Sequence, residues 1–510
     1  MAIVEPLPPT DDGRRQLQVR NPITNEILEQ NLVTNLAEVL EAVERARAAQ
    51  EAWSAWSFKA RGAVFLRAME LLIARRESVI DHIVAETGRS RLETLFMEIF
   101  PACDALHFFA NRAGKILKDR TVSLHLMKMK KAKLVYQPLG VVGVITPWNG
   151  PFIMCLNPCV QALMAGNAVL LKPSEVTPGT ARVFAELLQE AGLPENLLQV
   201  VQGDGETGAA VIEAGVDKIS FTGSVSTGRK VGESCGRALI PCTLELGGKD
   251  AMIICADADL ERAAGGAVFG AMFNNGQYCS STERVYVVDA IADAFTEQVV
   301  ARVAALRQDP DQEYDLGPFI FQRQLSKVEA QVDAAVSAGA KVLVGGRRAE
   351  GLGEHFFEPT VLVDVTHEMA IMCEETFGPV LPIVRVRDED EAIRLANDTK
   401  YGLGASVFTK DKKRGEAIAR RLRAGSVSIN DAAITYGALE LPFGGWNESG
   451  VGQVNGESGL RGYCHAQPIL IDRFGLAAEY VWFPYTAEKF EKLVKGIFWM
   501  FQTPLRWFLR

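Results

Sequence analysis

Histidine is scarce in this chain, with six in 510 residues. No two of them have the His-x3-His spacing that sets a pair of imidazoles on one helix face for zinc. Cysteine is sparse as well: the nine are odd in number and scattered without the spacing of a small disulfide framework, which suits reduced thiols rather than crosslinks. Cys155 and Cys159 stand four apart with no second ligand pair, so they read as helix packing residues and no metal is expected. Positive charge does not dominate, since 54 Lys and Arg face 63 Asp and Glu for a net of −9. Without a basic footprint, nucleic acid is excluded as a partner. The first residues run through Pro8, Pro9, Asp11 and Asp12 without the basic start and apolar stretch of a secretory leader, and the expectation is a cytoplasmic protein.

What is present is apolar content and glycine. With 48% hydrophobic residues and 45 glycines, a chain this long buries a large core and divides into two or more lobes. Apolar positions recur at helical spacing over Leu36–Trp56, Arg61–Glu86 and Leu92–Leu117, which makes the first part mostly helical. Thr121 to Tyr136 then alternates polar and apolar residues around a basic Lys128–Lys133 turn, the pattern of a β-hairpin arm. From Val141 the apolar runs shorten to strand length and alternate with helices: Val141–Ile145, Ala168–Leu171, Leu198–Val201 and Lys218–Phe221. A second series follows Gly248, at Ala251–Ile254, Arg284–Val288, Lys341–Val344, Thr360–Val365, Val380–Val386, Ala405–Thr409 and Ser426–Ile429. That rhythm predicts an α/β protein of two lobes built on open, parallel sheets.

Several motifs carry chemistry. Pro147-Trp148-Asn149 follows the strand Val141–Ile145, where ligands bind in an open parallel sheet, and Asn149 brings an amide donor; alone it also fits a turn or helix cap. Lys172-Pro173-Ser174-Glu175 ends the next strand, and its Lys and Glu can hold ribose hydroxyls while the carboxylate disfavours a 2′-phosphate; the plain alternative is a solvated pair. Phe221-Thr222-Gly223-Ser224 opens a helix whose N–H groups suit a pyrophosphate, or simply a serine cap. Gly203, Gly205 and Gly208 form a Gly-x-Gly-x-x-Gly pattern, ranked lower because no acidic residue follows about twenty positions on. In Glu245-Leu246-Gly247-Gly248-Lys249 a carboxylate able to deliver an activated water precedes two glycines. Asn274-Asn275-Gly276-Gln277-Tyr278-Cys279 sets a thiol in polar surroundings, where N–H groups of a following helix would lower its pKa. Glu374–Pro379 and Leu441–Gly445 close the series.

Taken in this order, from about Val19 to Asp472, the motifs resemble the aldehyde dehydrogenase superfamily. The resemblance implies that Cys279 attacks the aldehyde carbon and carries the acyl group as a thioester. Asn149 and the Cys279 backbone N–H then meet the oxyanion. Glu245 activates the hydrolytic water and helps deprotonate Cys279. It implies a Rossmann-like NAD-binding domain (1–120 and 139–248), a catalytic domain (249–445), an oligomerisation arm (121–138 and 461–475) and a tail (476–510). NAD is the expected cofactor, touched by Trp148, Lys172, Glu175, Gly203, Gly223, Ser224, Glu375 and Phe377, and a homodimer or homotetramer is the expected assembly. Two rivals are a non-catalytic relative and an enzyme that passes the acyl group to coenzyme A; Cys279, Glu245 and Asn149 standing together argue against the first, and Glu245 against the second. Relatives often carry an aromatic residue where Gly150 stands, which implies a wider tunnel mouth beside Phe152, Met154 and Asn157. Asn447 and Gln453 replace the Lys and Arg of many relatives.

The tail adds Tyr480–Tyr485 and then an amphipathic helix. Phe490, Leu493, Val494, Ile497, Phe498 and Phe501 fall at i, i+3, i+4, i+7, i+8 and i+11, opposite Lys489, Lys492 and Lys495. It resembles the ends of the class 3 and fatty aldehyde dehydrogenase branch. Its composition is that of a peripheral membrane contact, or of a helix packed on its own oligomer, and it is too short in continuous apolar residues to span a bilayer. With Gly150, it tilts the expected substrate toward apolar aldehydes, aliphatic or aromatic.

Overall fold

A computed structural model describes residues 4–11, 13–502 and 504. Its first element is a three-stranded antiparallel sheet of Val4–Leu7, Gln16–Arg20 and Ile27–Leu32, which the helical reading of this region passed over. Only the central strand buries residues, so the outer two lack the apolar alternation that marks a strand. Helix Leu36–Ser54 starts at a capping box, with Asn35 and Glu38 each accepting from the other's backbone N–H. The stretch expected as one helix over 61–86 is two, Phe58–Ala74 and Arg76–Thr87, broken at Arg75. The stretch over 92–117 contains a π-helical turn, Leu95–Ile99, before the helix Phe100–Ile116. Pro101 in that helix's first turn has no N–H to give the preceding turn, which accounts for the irregularity.

Two open sheets organise the rest, as the alternating strands and helices predict. The first has the order Gly450–Val451, Cys242–Glu245, Lys218–Thr222, Val141–Ile145, Ala168–Lys172, Leu198–Val200. It is parallel except for the Gly450–Val451 edge. Successive strands move outward from Val141–Ile145 on one side, and the chain then returns to place Lys218–Thr222 on the other. The crevice at that reversal lies beyond the strand ends that lead to Asn149 and Ser224. The second sheet has seven strands, in the order Lys341–Val344, Thr360–Val363, Val380–Val386, Thr282–Val288, Asp250–Ile254, Gly404–Phe408, Ser426–Ile429. It is buried on both faces: Ala251 and Ile253 enter one apolar cluster, Met252 and Ile254 the other. Continuous apolar strands of this kind are what a sheet covered by helices on both faces requires.

The arm is a fourth sheet, in which Lys130–Pro138 pairs antiparallel with Arg120–Val122 on one side and Cys464–Asp472 on the other. Its turn lies over 123–129 rather than at Lys128–Lys133. Lys130 to Lys133 are strand residues, and Lys130 pairs there with Asp472 and Glu479. The C-terminal helix spans Ala487–Gln502 and buries none of its residues; the expectations that concern residue 503 and residues 505–510 fall outside the described residues. Among the described residues, no helix is long and apolar enough to cross a membrane.

Candidate active site

Three chain segments converge between the two sheets. Asn149 follows the strand Val141–Ile145, Glu245 ends the strand Cys242–Glu245, and Cys279 sits in the turn before the strand Thr282–Val288. Glu245 and Cys279 line one cavity with Met154, Pro158, Thr222, Tyr436 and other residues. Its free volume is about 20 Å³, room for about one water.

Glu245 is buried, and neither carboxyl oxygen has a hydrogen-bond partner among the described residues. Burial raises this carboxyl well above the usual range. An orphaned buried carboxyl is costly, and such groups point to function. Burial also pushes the Cys279 thiol up to about 12, with Asp250, Glu245 and Glu375 adding to the rise and Ser280 Oγ, 3.8 Å from the sulfur, opposing it. The expected lowering by a following helix is not found, because the element after Cys279 is a strand and no helix N-terminus there faces the sulfur. The Asn149 amide donates one N–H to the carbonyl of Gln277, two residues before Cys279, at 3.1 Å, and an amide carries a second.

Behind these residues stands a network that sequence reasoning missed. Arg89, 2% exposed, donates to the Asn149 carbonyl at 2.6 Å, to Asn274 Oδ1 at 2.9 Å and to Glu98 at 2.8 Å. Asn274 in turn donates to the carbonyls of Asn149 and Gln277. Glu98 accepts from the N–H groups of Phe152 and Ile153, and so fixes the start of the helix after Asn149. One signal was available: Glu98 is a lone charge in the apolar run Leu95–Phe100. Two further devices shape the thiol loop. Asn274 and Asn275 both have left-handed backbone, φ 52° and 56°, and Gly276, φ 69°, lies so close to Gly378 that a Cβ would come within 2.1 Å of its carbonyl oxygen.

The residues expected to hold a dinucleotide fall at or just after strand ends of the first sheet and in the Glu375–Phe377 loop. Lys172 Nζ pairs with Glu175 at 3.4 Å. Gly223 precedes Ser224, which caps the 14-residue helix Val225–Ala238 by accepting from Thr227 N–H, and the cap leaves other first-turn N–H groups for an anion. Trp148 meets Phe377 edge to face, ring centres 5.6 Å apart. Glu375 accepts from Gly248 N–H at 3.3 Å, and burial pushes its carboxyl up to about 7. Glu283 takes the N–H groups of Thr376 and Phe377 and pairs with Lys249 at 2.6 Å, which holds the Glu375–Phe377 loop in place. Gly203 has a different explanation: its φ is 149°, a Cβ would meet Thr207, and the Asp204 carboxylate already caps the following helix. A Lys–Glu pair at a strand end, a glycine-led helix N-terminus and an aromatic pair beside a buried carboxylate form a donor set that fits a nicotinamide dinucleotide.

Around Gly150 the structure corrects an expectation. The residue is buried against Met154, Ile153 and Met97, so the missing side chain is filled in and widens no tunnel mouth. Asn157 donates to Tyr436 Oη and to Asn455, tying the helix Ile153–Met164 to the late loop. In that loop Asn447 donates to the Tyr401 carbonyl and Gln453 accepts from Ser458. Among the described residues, no group of His, Cys, Asp and Glu is placed to hold a metal ion.

The model of the aldehyde dehydrogenase family matches residues 9–469. A Mycobacterium ulcerans chain with the provisional name succinate-semialdehyde dehydrogenase (NADP(+)) 2 is 40% identical over 465 residues, 91% of this chain and 90% of that one. The 4,4'-diapolycopene aldehyde oxidase of a Methylomonas species is 38% identical over 473 residues, covering 92% and 88%. The crystal structure of a Mycobacterium tuberculosis aldehyde dehydrogenase complexed with NAD+ superposes with a TM-score of 0.86 at 36% identity, covering 91% of this chain and 96% of that one.

Proposed function

The chain belongs to the aldehyde dehydrogenase family, and from that premise we propose that it oxidises an apolar aldehyde to the carboxylic acid through a thioester on Cys279. An aldehyde oxidoreductase that uses NAD or NADP is what the family establishes. The observation that carries the finer reading is the Glu245 carboxyl, buried without partners in the cavity that Cys279 lines.

Burial acts on both groups in the same direction. A thiol raised to about 12 is scarcely ionised at rest, but its thiolate is the stronger nucleophile once formed. Glu245, also raised, is the stronger base for taking that proton. Cys279 Sγ attacks the carbonyl carbon, and the free N–H of the Asn149 amide, with the Cys279 backbone N–H, faces the oxyanion as charge develops there. Bound dinucleotide supplies the hydride acceptor. Glu245 releases the thiol's proton to solvent, then removes a proton from the water that attacks the thioester and returns it to the departing sulfur, so that the acid leaves with Cys279 again a thiol. Coenzyme A as acceptor would leave Glu245 without this role.

The cavity walls include Met154, Pro158, Leu246, Leu403, Phe443 and Val454, and no lysine or arginine lines it. The walls nearest the reacting carbon are therefore largely apolar, which supports an apolar aldehyde. Glu175 beside Lys172 favours NAD, because a 2′-phosphate would meet its carboxylate. The same reading has the enzyme assemble as a homodimer or homotetramer through the antiparallel arm, and has it cytoplasmic, touching a membrane only peripherally, through the C-terminal helix.

The test sets Cys279→Ala beside the unaltered protein, with aldehydes of rising chain length, a succinate-type semialdehyde and both dinucleotides. The unaltered protein should favour long apolar aldehydes and NAD. Cys279→Ala should bind NAD and reduce none of it with any aldehyde. Turnover that survives in the variant sinks the nucleophile assignment. Preference for the semialdehyde or for NADP sinks the corresponding part alone.

A further inference from the structure

We propose that the helix Ala487–Gln502, with the aromatic segment before it, docks on an anionic lipid surface from which the enzyme takes its aldehyde; the second half of this rests on the apolar-substrate reading. Met500, Leu493, Ile497, Phe490, Phe501, Val494 and Phe498 fall on one arc of the helix at 100° per residue. Each of these seven side chains is between 40% and 70% exposed. An apolar stripe of this size left in water is a contact surface.

Two features point to lipid as the occupant. Lys492, which also pairs with Glu488 at 2.6 Å, and Lys495 lie off the apolar arc, where long stems let their ammonium groups reach a headgroup layer while the stripe enters the acyl boundary. Charge is also segregated along the chain: residues 473–510 hold six basic and three acidic side chains, a net of +3 in a chain whose net is −9. Basic charge gathered beside an apolar stripe complements an anionic bilayer, whereas the acidic remainder of the protein would be repelled from it. The segment before the helix adds Tyr480, Trp482, Phe483 and Tyr485, all exposed, and aromatic residues of this kind sit at headgroup level. Lys489 fastens that segment to the first turn, donating to the Trp482 carbonyl at 2.7 Å and lying over the Tyr480 ring. Lys130 ties the tail to the arm through Glu479.

The experiment floats the full chain with vesicles of phosphatidylcholine, with and without phosphatidylglycerol, and assays a long-chain aldehyde dissolved in the same vesicles beside a short, water-soluble one. Binding should require phosphatidylglycerol and weaken with salt. Each lysine neutralised, Lys492→Gln or Lys495→Gln, should cost about fivefold in partition. Ile497→Ser with Phe501→Ser should abolish binding, raise KM for the vesicle-borne aldehyde several-fold and leave the short aldehyde's turnover unchanged. If the unaltered chain stays unbound and the serine variant instead forms a smaller oligomer, the face belongs to a second copy and the proposal is overturned. If binding occurs but the vesicle-borne aldehyde gains nothing from it, docking stands and delivery falls. Failure on every long aldehyde, free or vesicle-borne, would instead strike the substrate reading.

Discussion

Arg89→Met separates what the buried network does for stability from what it does for catalysis. Arg89 and Glu98 are 2.8 Å apart with side chains 1% and 0% exposed. Removing one end of such a pair costs about 3–5 kcal/mol, chiefly because the other charge is left buried and unpaired. Glu98 would still accept from the N–H groups of Phe152 and Ile153, so the lower figure, about 3 kcal/mol, is expected. Adding Glu98→Gln removes the orphaned charge and should recover about 2 kcal/mol of it. Catalysis should not follow. Both variants lack the guanidinium that holds the Asn149 carbonyl and Asn274 together, and a shift of about 1 Å between an oxyanion donor and a nucleophile costs on the order of 100-fold. Urea unfolding midpoints followed by tryptophan fluorescence, and kcat under saturating substrate, read the two effects separately. The expected outcome is a double variant with its midpoint largely restored and its kcat still about 100-fold down. A double variant that regains both would show that the network only holds the fold.

Two further outcomes follow from the burial of the reacting groups. Glu245→Gln should slow both the first NADH formed per site, where the thiol must lose its proton, and the steady rate, each by about 10²–10⁴, roughly the worth of a general base; rapid-quench assay of NADH reads both phases, and a full-rate burst of one NADH per site would mean that Glu245 acts only on the hydrolytic water. In the unaltered protein, a carboxyl raised by burial is protonated below its pKa and idle as a base, so kcat should rise with pH until the carboxyl ionises, and Glu245→Gln should lose that rise. The Cys279 thiol, raised to about 12, should be alkylated by iodoacetamide about tenfold faster per pH unit between roughly pH 7 and pH 10. Mass spectrometry of the Cys279 peptide measures this, and a plateau below pH 9 would show the thiol to be unshifted.

The parts of the fold legible in the sequence are those where one physical rule acts alone. A strand covered on both faces must be apolar throughout, so Val141–Ile145 and the run 251–254 stand out and lie where the apolar runs put them. Ile27–Leu32 buries nothing, so its side chains carry no apolar pattern that reports it. Cys242–Glu245 is four residues long and ends on the charged group it presents, and function there overrides the apolar signal. The break at Arg75 follows from tertiary packing of two helices, with no proline or glycine to announce it.

The site divides in the same way. Asn149, Glu245 and Cys279 stand out in the sequence because each lies at a strand end or tight turn beside glycines, and the structure brings Glu245 and Cys279 to one cavity with Asn149 bonded two residues before the thiol. Arg89 was not, because it joins partners 60 and 185 residues away, and nothing within its own helix-to-helix turn shows what it will meet. The pKa of Cys279 was legible with the wrong sign. Local reasoning weighed the polar neighbours of the thiol and supposed a helix after it, but the sulfur's ionisation is set by the burial that the two sheets impose when they close on it. That same closure leaves Glu245 without partners. A carboxyl and a thiol raised together exchange a proton at lower cost than either would with water, and on the proposed mechanism the burial that makes each group unstable alone is what readies the pair for a carbonyl placed between them.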